Sequence, residues 1–128
     1  MISLFWHRRD LRIHDNAGLF KALNAGHPVL PIFIFDTTIL DLLPSNDQRV
    51  LFIHQEVKAL KKQYQEYGSD LMVYTGDPTE VIPRICKELN ATKVFTNRDY
   101  EPYALKRDKE IFDSLSARSI EFSGAKDH

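Results

Sequence analysis

Six charged or titratable residues, His7, Arg8, Arg9, Asp10, Arg12 and His14, follow directly on an apolar run, ISLFW, near the start of the chain. Two or three turn residues would join a strand to a helix, so this density exceeds what folding needs. The cluster can be a mutually paired ionic corner that fixes the loop, or its arginines can face a ligand or a partner domain. A rigid corner that pins a ligand edge satisfies both readings. Nothing in it is arranged as a catalytic acid or base. Further polar residues stand just behind two other apolar runs. Asp36 closes PVLPIFIFD and is followed by Thr37, Ile39 and Leu40, with Arg49 in the first turn of a later helix; Asn97, Asp99, Glu101 and Tyr103 lie in NRDYEPY. A carboxylate alone is often only a helix cap. Asp36, Arg49 and Asp99 together are expected to converge where a flat heteroaromatic ligand meets donors and acceptors on an apolar wall.

Several chemistries are excluded. There is no G-x-G-x-x-G after the first strand and no G-x-x-x-x-G-K-[ST], so neither a dinucleotide fingerprint nor a phosphate loop is present. RRDL followed by Asn16 imitates a kinase catalytic loop, but the interval is one residue too long and no Asp-Phe-Gly accompanies it. The five histidines lack metal-ligand spacing, so no metal is expected. Cys86 shares a helix with Ile82, Ile85 and Leu89 and reads as a buried structural thiol. A single cysteine excludes an intramolecular disulfide and fits a reducing cytosol, the expected location. No apolar run reaches membrane-span length and no signal peptide is evident, so no membrane partner is expected. The net charge of −1 gives no broad basic field for non-specific nucleic-acid binding.

The elements that must hold these residues alternate. Residues 2–7 and 28–36 are continuous apolar runs of the kind covered on both faces in a parallel sheet, and 71–75, 93–96 and 119–122 are shorter strands. A first helix is expected over 16–25, with Asp15 as N-cap and Gly26 just past its end. A second starts at a Ser45/Gln48 capping box and stops at Gly68, with Val50, Ile53, Val57, Leu60, Tyr64 and Tyr67 along its sheet-facing side. A third has Asp77 as cap, Pro78 at its first position and Glu80 as reciprocal cap, with a kink or late start expected from Pro83. A fourth covers 103–116. Four strand–helix units with short connections imply right-handed crossovers and a Rossmann-like, doubly wound parallel sheet with helices on both faces and all 128 residues in one domain; five strands in the order 3-2-1-4-5 are expected. Ligands in such sheets sit beyond the carboxyl ends of the strands. That edge is made here by 7–15, 36–46, 76–77 and 97–103.

FWHRRDLRIHDNAGL (5–19), DTTIL (36–40), GDPTEVIP (76–83) and NRDYEPYALKRD (97–108) stand in the order and spacing of the DNA photolyase/cryptochrome family, and over essentially its whole length the chain resembles that family's N-terminal α/β domain. The resemblance implies an antenna domain of a deoxyribodipyrimidine photolyase that repairs cyclobutane pyrimidine dimers. In this family a larger helical domain binds FAD, carries the lesion pocket and meets damaged DNA; it has no counterpart in these 128 residues, so the chain is expected to be a non-catalytic piece of a longer protein. The positions Asp36, Thr37, Ile39, Leu40, Arg49, Asn97, Asp99, Glu101 and Tyr103 are then expected to hold the antenna. An 8-hydroxy-5-deazaflavin or a flavin is favoured over methenyltetrahydrofolate, because folate-binding members resembling this chain carry polar residues where Tyr103 and Ala104 stand. Trp6, His7, Arg8, Arg9, Asp10 and Arg12 are expected at the interface with the helical domain. Two alternatives stay open: a cryptochrome-type blue-light receptor, and a free-standing nucleotide-binding Rossmann-like protein.

Overall fold

The computed structural model describes residues 1–44 and 46–126. Its strands are β1 (Ile2–His7), β2 (Val29–Asp36), β3 (Met72–Gly76), β4 (Ala91–Asn97) and β5 (Glu121–Ala125). They form one sheet in the order β3-β2-β1-β4-β5, every pairing parallel. The helices are α1 (Ala17–Leu23), α2 (Thr37–Leu40), α3 (Gln48–Glu66), α4 (Pro78–Leu89) and α5 (Pro102–Ser116).

Side-chain alternation along the central strands explains why both faces are covered. Leu4, Trp6, Ile32, Ile34 and Val94 point to one side and pack with Val81, Ile82 and Ile85 of α4 and Ile111 and Leu115 of α5. Phe5, Phe33, Phe35 and Phe95 point to the other and meet Leu19 and Ala22 of α1 and Val57, Leu60 and Tyr64 of α3. An edge strand has only one neighbour, and β3 accordingly leaves Met72 and Val73 exposed.

Local chemistry moves several boundaries from their expected places. Asp15 sits at φ 52°, in the left-handed region, and Asn16 caps α1 instead, its side chain accepting from the Leu19 N–H. The α1 helix ends at Asn24, before Gly26. Ser45 lies outside the described residues; the cap of α3 is Asp47, which accepts from the Arg49 N–H. Tyr67 is the C-cap of α3 and is exposed, so the sheet-facing stripe ends at Tyr64. Asp77 does cap α4, but Thr79 completes that cap through its N–H and Oγ1, in place of Glu80. The α4 helix starts on time at Pro78 and continues through Pro83, which has no N–H for the Thr79 carbonyl and is buried against the sheet. Residues 37–40, part of the expected ligand edge, make the single turn α2, capped by Asp36.

Candidate functional site

The sharp corner behind β1 is held from beneath by a buried polar network. Asp10 accepts from the Arg8 backbone N–H at 2.9 Å and from the side-chain amides of Asn16 and Asn97 at 3.0 and 2.8 Å. Asn97 also donates to Asn16 Oδ1 and accepts from the Gly18 N–H at 2.7 Å. Gly18 is required there, since a Cβ would come within 2.6 Å of Asn97 Oδ1. His7 is fully buried; its Nδ1 lies 2.8 Å from the Asp10 carbonyl and its Nε2 2.6 Å from the Tyr64 hydroxyl. A carbonyl can only accept, so Nδ1 carries the proton and, in the neutral ring, Nε2 accepts from Tyr64. Burial alone would raise the Asp10 carboxyl, but the contacts from His7, Arg8 and Asn97 outweigh it and hold the group below its ordinary value. Burial, helped by the charge on Asp10, pushes the Tyr64 phenol well up, so it stays a donor.

This network sorts the expected residues. Asn97 is a structural brace, turned into the Asp10–Asn16 cluster and away from the main cleft. Trp6, His7 and Asp10 are 2%, 0% and 7% exposed, so they do not present a surface to another domain. Arg8 and Arg9 find their carboxylates beyond the corner. Arg8 reaches Asp108 on α5 at 2.8 Å and Arg9 reaches Asp99 at 3.3 Å, while Arg12 donates to the Asp15 carbonyl. Of these three only Arg9 stands largely in solvent, with its side chain 73% exposed.

Above the carboxyl ends of β1 and β2 opens a cleft of about 400 Å³, the size of a small-ligand site. Its wall is apolar: Phe33, Ile34 and Phe35 from β2, Ile39 and Leu40 from α2, and Ile53 from α3. Its polar edge comes from Asp36, Arg8 and Arg9, from Asp99 and Glu101 behind β4, and from Tyr103 and Arg107 on α5. Asp36 and Arg107 form a buried ion pair. The Arg8 and Arg107 guanidinium groups lie 4.6 and 5.4 Å from the Trp6 ring centre, and Arg107 is also 5.1 Å from that of Tyr103. Arg8 Nε and Nη2 and Arg107 Nε are buried without an acceptor among the described residues.

Asp36 and Asp99 therefore do converge on one opening, with Ile39, Leu40, Glu101 and Tyr103, while Thr37 and Arg49 do not line it. Arg49 is captured by its own helix cap. It chelates Asp47 through Nε and Nη2 at 3.0 and 2.8 Å in solvent, and this guanidinium holds the Asp47 carboxyl down at about 2. The cation paired with Asp36 at the cleft is Arg107. Its signal was available: Ala104, Arg107, Ile111 and Leu115 recur at helical spacing, which places a guanidinium on the buried face of α5.

A family model described as DNA photolyase matches residues 3–128. The chain belongs to the DNA photolyase family. Over 128 residues it is 40% identical to a deoxyribodipyrimidine photo-lyase of Halobacterium salinarum, covering 93% of this chain and 26% of that one. Among solved structures, a cryptochrome of Synechocystis matches with a TM-score of 0.87 at 28% identity, over 98% of this chain and 27% of its own. An archaeal photolyase from Sulfolobus tokodaii, described as holding two FAD molecules with the implication of a novel light-harvesting cofactor, matches with a TM-score of 0.86 at 30% identity, over 98% and 29%. This photolyase-family chain thus spans about a quarter of the length of these relatives. Among its described residues no helix is long and apolar enough to cross a membrane, and no cluster of three His, Cys, Asp or Glu is placed to hold a metal ion.

Proposed function

We propose that this chain is the chromophore-holding α/β domain of a light-dependent deoxyribodipyrimidine photolyase, and that the cleft beside Trp6 takes the antenna. The observation that carries this reading is the pair of buried guanidinium groups at the cleft, of which Arg8 Nε and Nη2 and Arg107 Nε have no acceptor among the described residues. A buried donor without a partner costs about 1–3 kcal/mol, so the site suits a ligand that presents acceptors. Flavin and deazaflavin rings are flat and carry carbonyl oxygens, and the cleft combines an apolar wall with those donors. Bound there, such a chromophore would absorb light and pass its excitation to FAD held by a helical domain of the same protein, the part that would meet damaged DNA.

The work of this chain's own residues is to bind and to orient. Phe33, Phe35, Ile39 and Leu40 exclude water, Arg107 and Arg8 offer donors, and Asp36 keeps Arg107 in place. Asp99 Oδ1 accepts from the Glu101 N–H at 3.0 Å, which fixes the turn into α5 and leaves Oδ2 to Arg9. The test is fluorescence titration of 8-hydroxy-5-deazaflavin, FMN and methenyltetrahydrofolate into the 128-residue chain. Saturable one-to-one binding of the deazaflavin or flavin is expected, tighter than that of the folate. Asp99→Ala should weaken it by about 1–3 kcal/mol, or about 5- to 150-fold. No binding of any of the three refutes the antenna reading.

A further inference from the structure

Two side chains lining the cleft are readily oxidised, Trp6 and Tyr103, and Trp6 is the only tryptophan of the chain. Both rings carry a guanidinium group. Arg8 lies 4.6 Å from the Trp6 ring centre, and Arg107 stands against the two rings together, 5.4 Å from Trp6 and 5.1 Å from Tyr103. Each cation is tied down by a carboxylate, Arg8 by Asp108 at 2.8 Å and Arg107 by Asp36, so neither swings away from its ring. The positive end of each ion pair is the end against the ring.

A cation over a ring face is attracted to the π electrons. The same closeness changes the redox chemistry of the ring. Withdrawing an electron from it would set a new positive charge beside one already present, against Coulomb repulsion. Trp6 is 2% exposed and the Arg8 and Arg107 side chains 5% and 10%, so water and salt screen that repulsion weakly. An antenna must hold its excitation until it is passed on. A light-excited flavin-type ring is a strong one-electron oxidant, and an indole or phenol in its cleft is a ready donor. The electron would cross to the excited ring and return, with no bond made or broken and the excitation lost as heat. Excluding such competing reactions is the protein's part in a cofactor site.

We propose that Arg8 and Arg107 guard Trp6 and Tyr103 against one-electron oxidation by an excited ligand, so that the cleft keeps its aromatic wall without quenching the light it gathers. The inference rests on the antenna reading and adds to it a photophysical role for two arginines. The test is time-resolved emission of FMN and of 8-hydroxy-5-deazaflavin bound to the 128-residue chain. The bound lifetime in wild type should match that in Trp6→Phe/Tyr103→Phe, because guarded rings do not donate. Asp36→Ala/Arg107→Met bares Tyr103 and leaves Trp6 with one guanidinium, so its bound lifetime should fall several-fold and recover when Trp6→Phe and Tyr103→Phe are added. Ile39→Trp disturbs no buried group, since Ile39 is 43% exposed at the cleft wall; an unguarded indole there should also shorten the lifetime several-fold. A wild-type lifetime several-fold below that of Trp6→Phe/Tyr103→Phe overturns the guard, as does an unchanged lifetime in Asp36→Ala/Arg107→Met. Where that variant does not fold, Ile39→Trp decides, and a lifetime equal to wild type overturns the guard. Each of these leaves the antenna reading standing. Failure of both ligands to bind overturns both.

Discussion

Asp36→Ala offers the most direct probe of the cleft, because the pair it breaks is buried on both sides. The Asp36 and Arg107 side chains are 11% and 10% exposed. Asp36 also caps α2, its Oδ1 accepting from the Thr38 N–H at 2.9 Å. The alanine variant leaves the Arg107 cation buried with its carboxylate gone and with Nε already lacking an acceptor. An uncompensated buried charge costs about 3–5 kcal/mol. The lost cap adds no more than about 1 kcal/mol, since α2 is a single turn. The contacts of Arg107 with the Trp6 and Tyr103 rings persist in the variant and do not enter the difference. A loss of about 4 kcal/mol should lower Tm by roughly 10–25 °C for a chain of this size. The assay is urea denaturation at neutral pH, followed by far-UV circular dichroism, with the midpoint shifting at unchanged slope. Because the damage comes from the stranded cation, Asp36→Ala/Arg107→Met should recover more than half of the loss. A double variant as unstable as Asp36→Ala alone would refute the charge argument, as would a single variant within about 1 kcal/mol of wild type.

Two further outcomes follow from the titrating groups. Asp10 is held below its unfolded value, so the stability it contributes is complete above about pH 4 and is lost as pH falls through the lower folded value; the gap in urea midpoint between wild type and Asp10→Asn should therefore narrow from neutral pH to about pH 3, and a constant gap would contradict the network. Burial pushes the Cys86 thiol up to about 11, so the folded chain should resist iodoacetamide at neutral pH and react only on unfolding; rapid alkylation of the native protein would show the thiol to be accessible.

The sheet was readable because its central strands are continuous apolar runs, and a parallel sheet covered on both faces tolerates little else at those positions. That the sheet is parallel and doubly wound was readable from the alternation with helices and their short connections; the observed order β3-β2-β1-β4-β5 agrees with the one expected, which alternation alone does not fix. The site was half readable, for a physical reason that Arg49 and Arg107 illustrate. A place in the first turn of the helix that follows the β2 edge singled out Arg49, but Asp47 lies two residues away and claims it, a local competition that spacing alone does not weigh. Arg107 is a turn and a half into a helix and looks like a solvated charge until its place on the apolar stripe of α5 is counted. Asn97 and Trp6 show the converse. Both stand at strand ends that the sequence marks as a ligand edge, yet Asn97 is turned inward to brace Asp10, and Trp6 is buried beneath two guanidinium groups.

The position of β1 at the middle of the sheet has a consequence for how the chain is made. Of the five strands it is the first to be synthesised, yet one of its two partners, β4, begins only at Ala91. At a translation rate of roughly 5–20 residues per second, the β4 side of β1 waits about 4–17 s before a neighbour exists to cover it. Throughout that interval an apolar ribbon, ISLFWH, has one flank of backbone donors and acceptors open to any extended segment nearby. The order that seats β1 between β2 and β4 thus also leaves nascent copies, in the seconds before β4 arrives, open to mispairing and to chaperone capture.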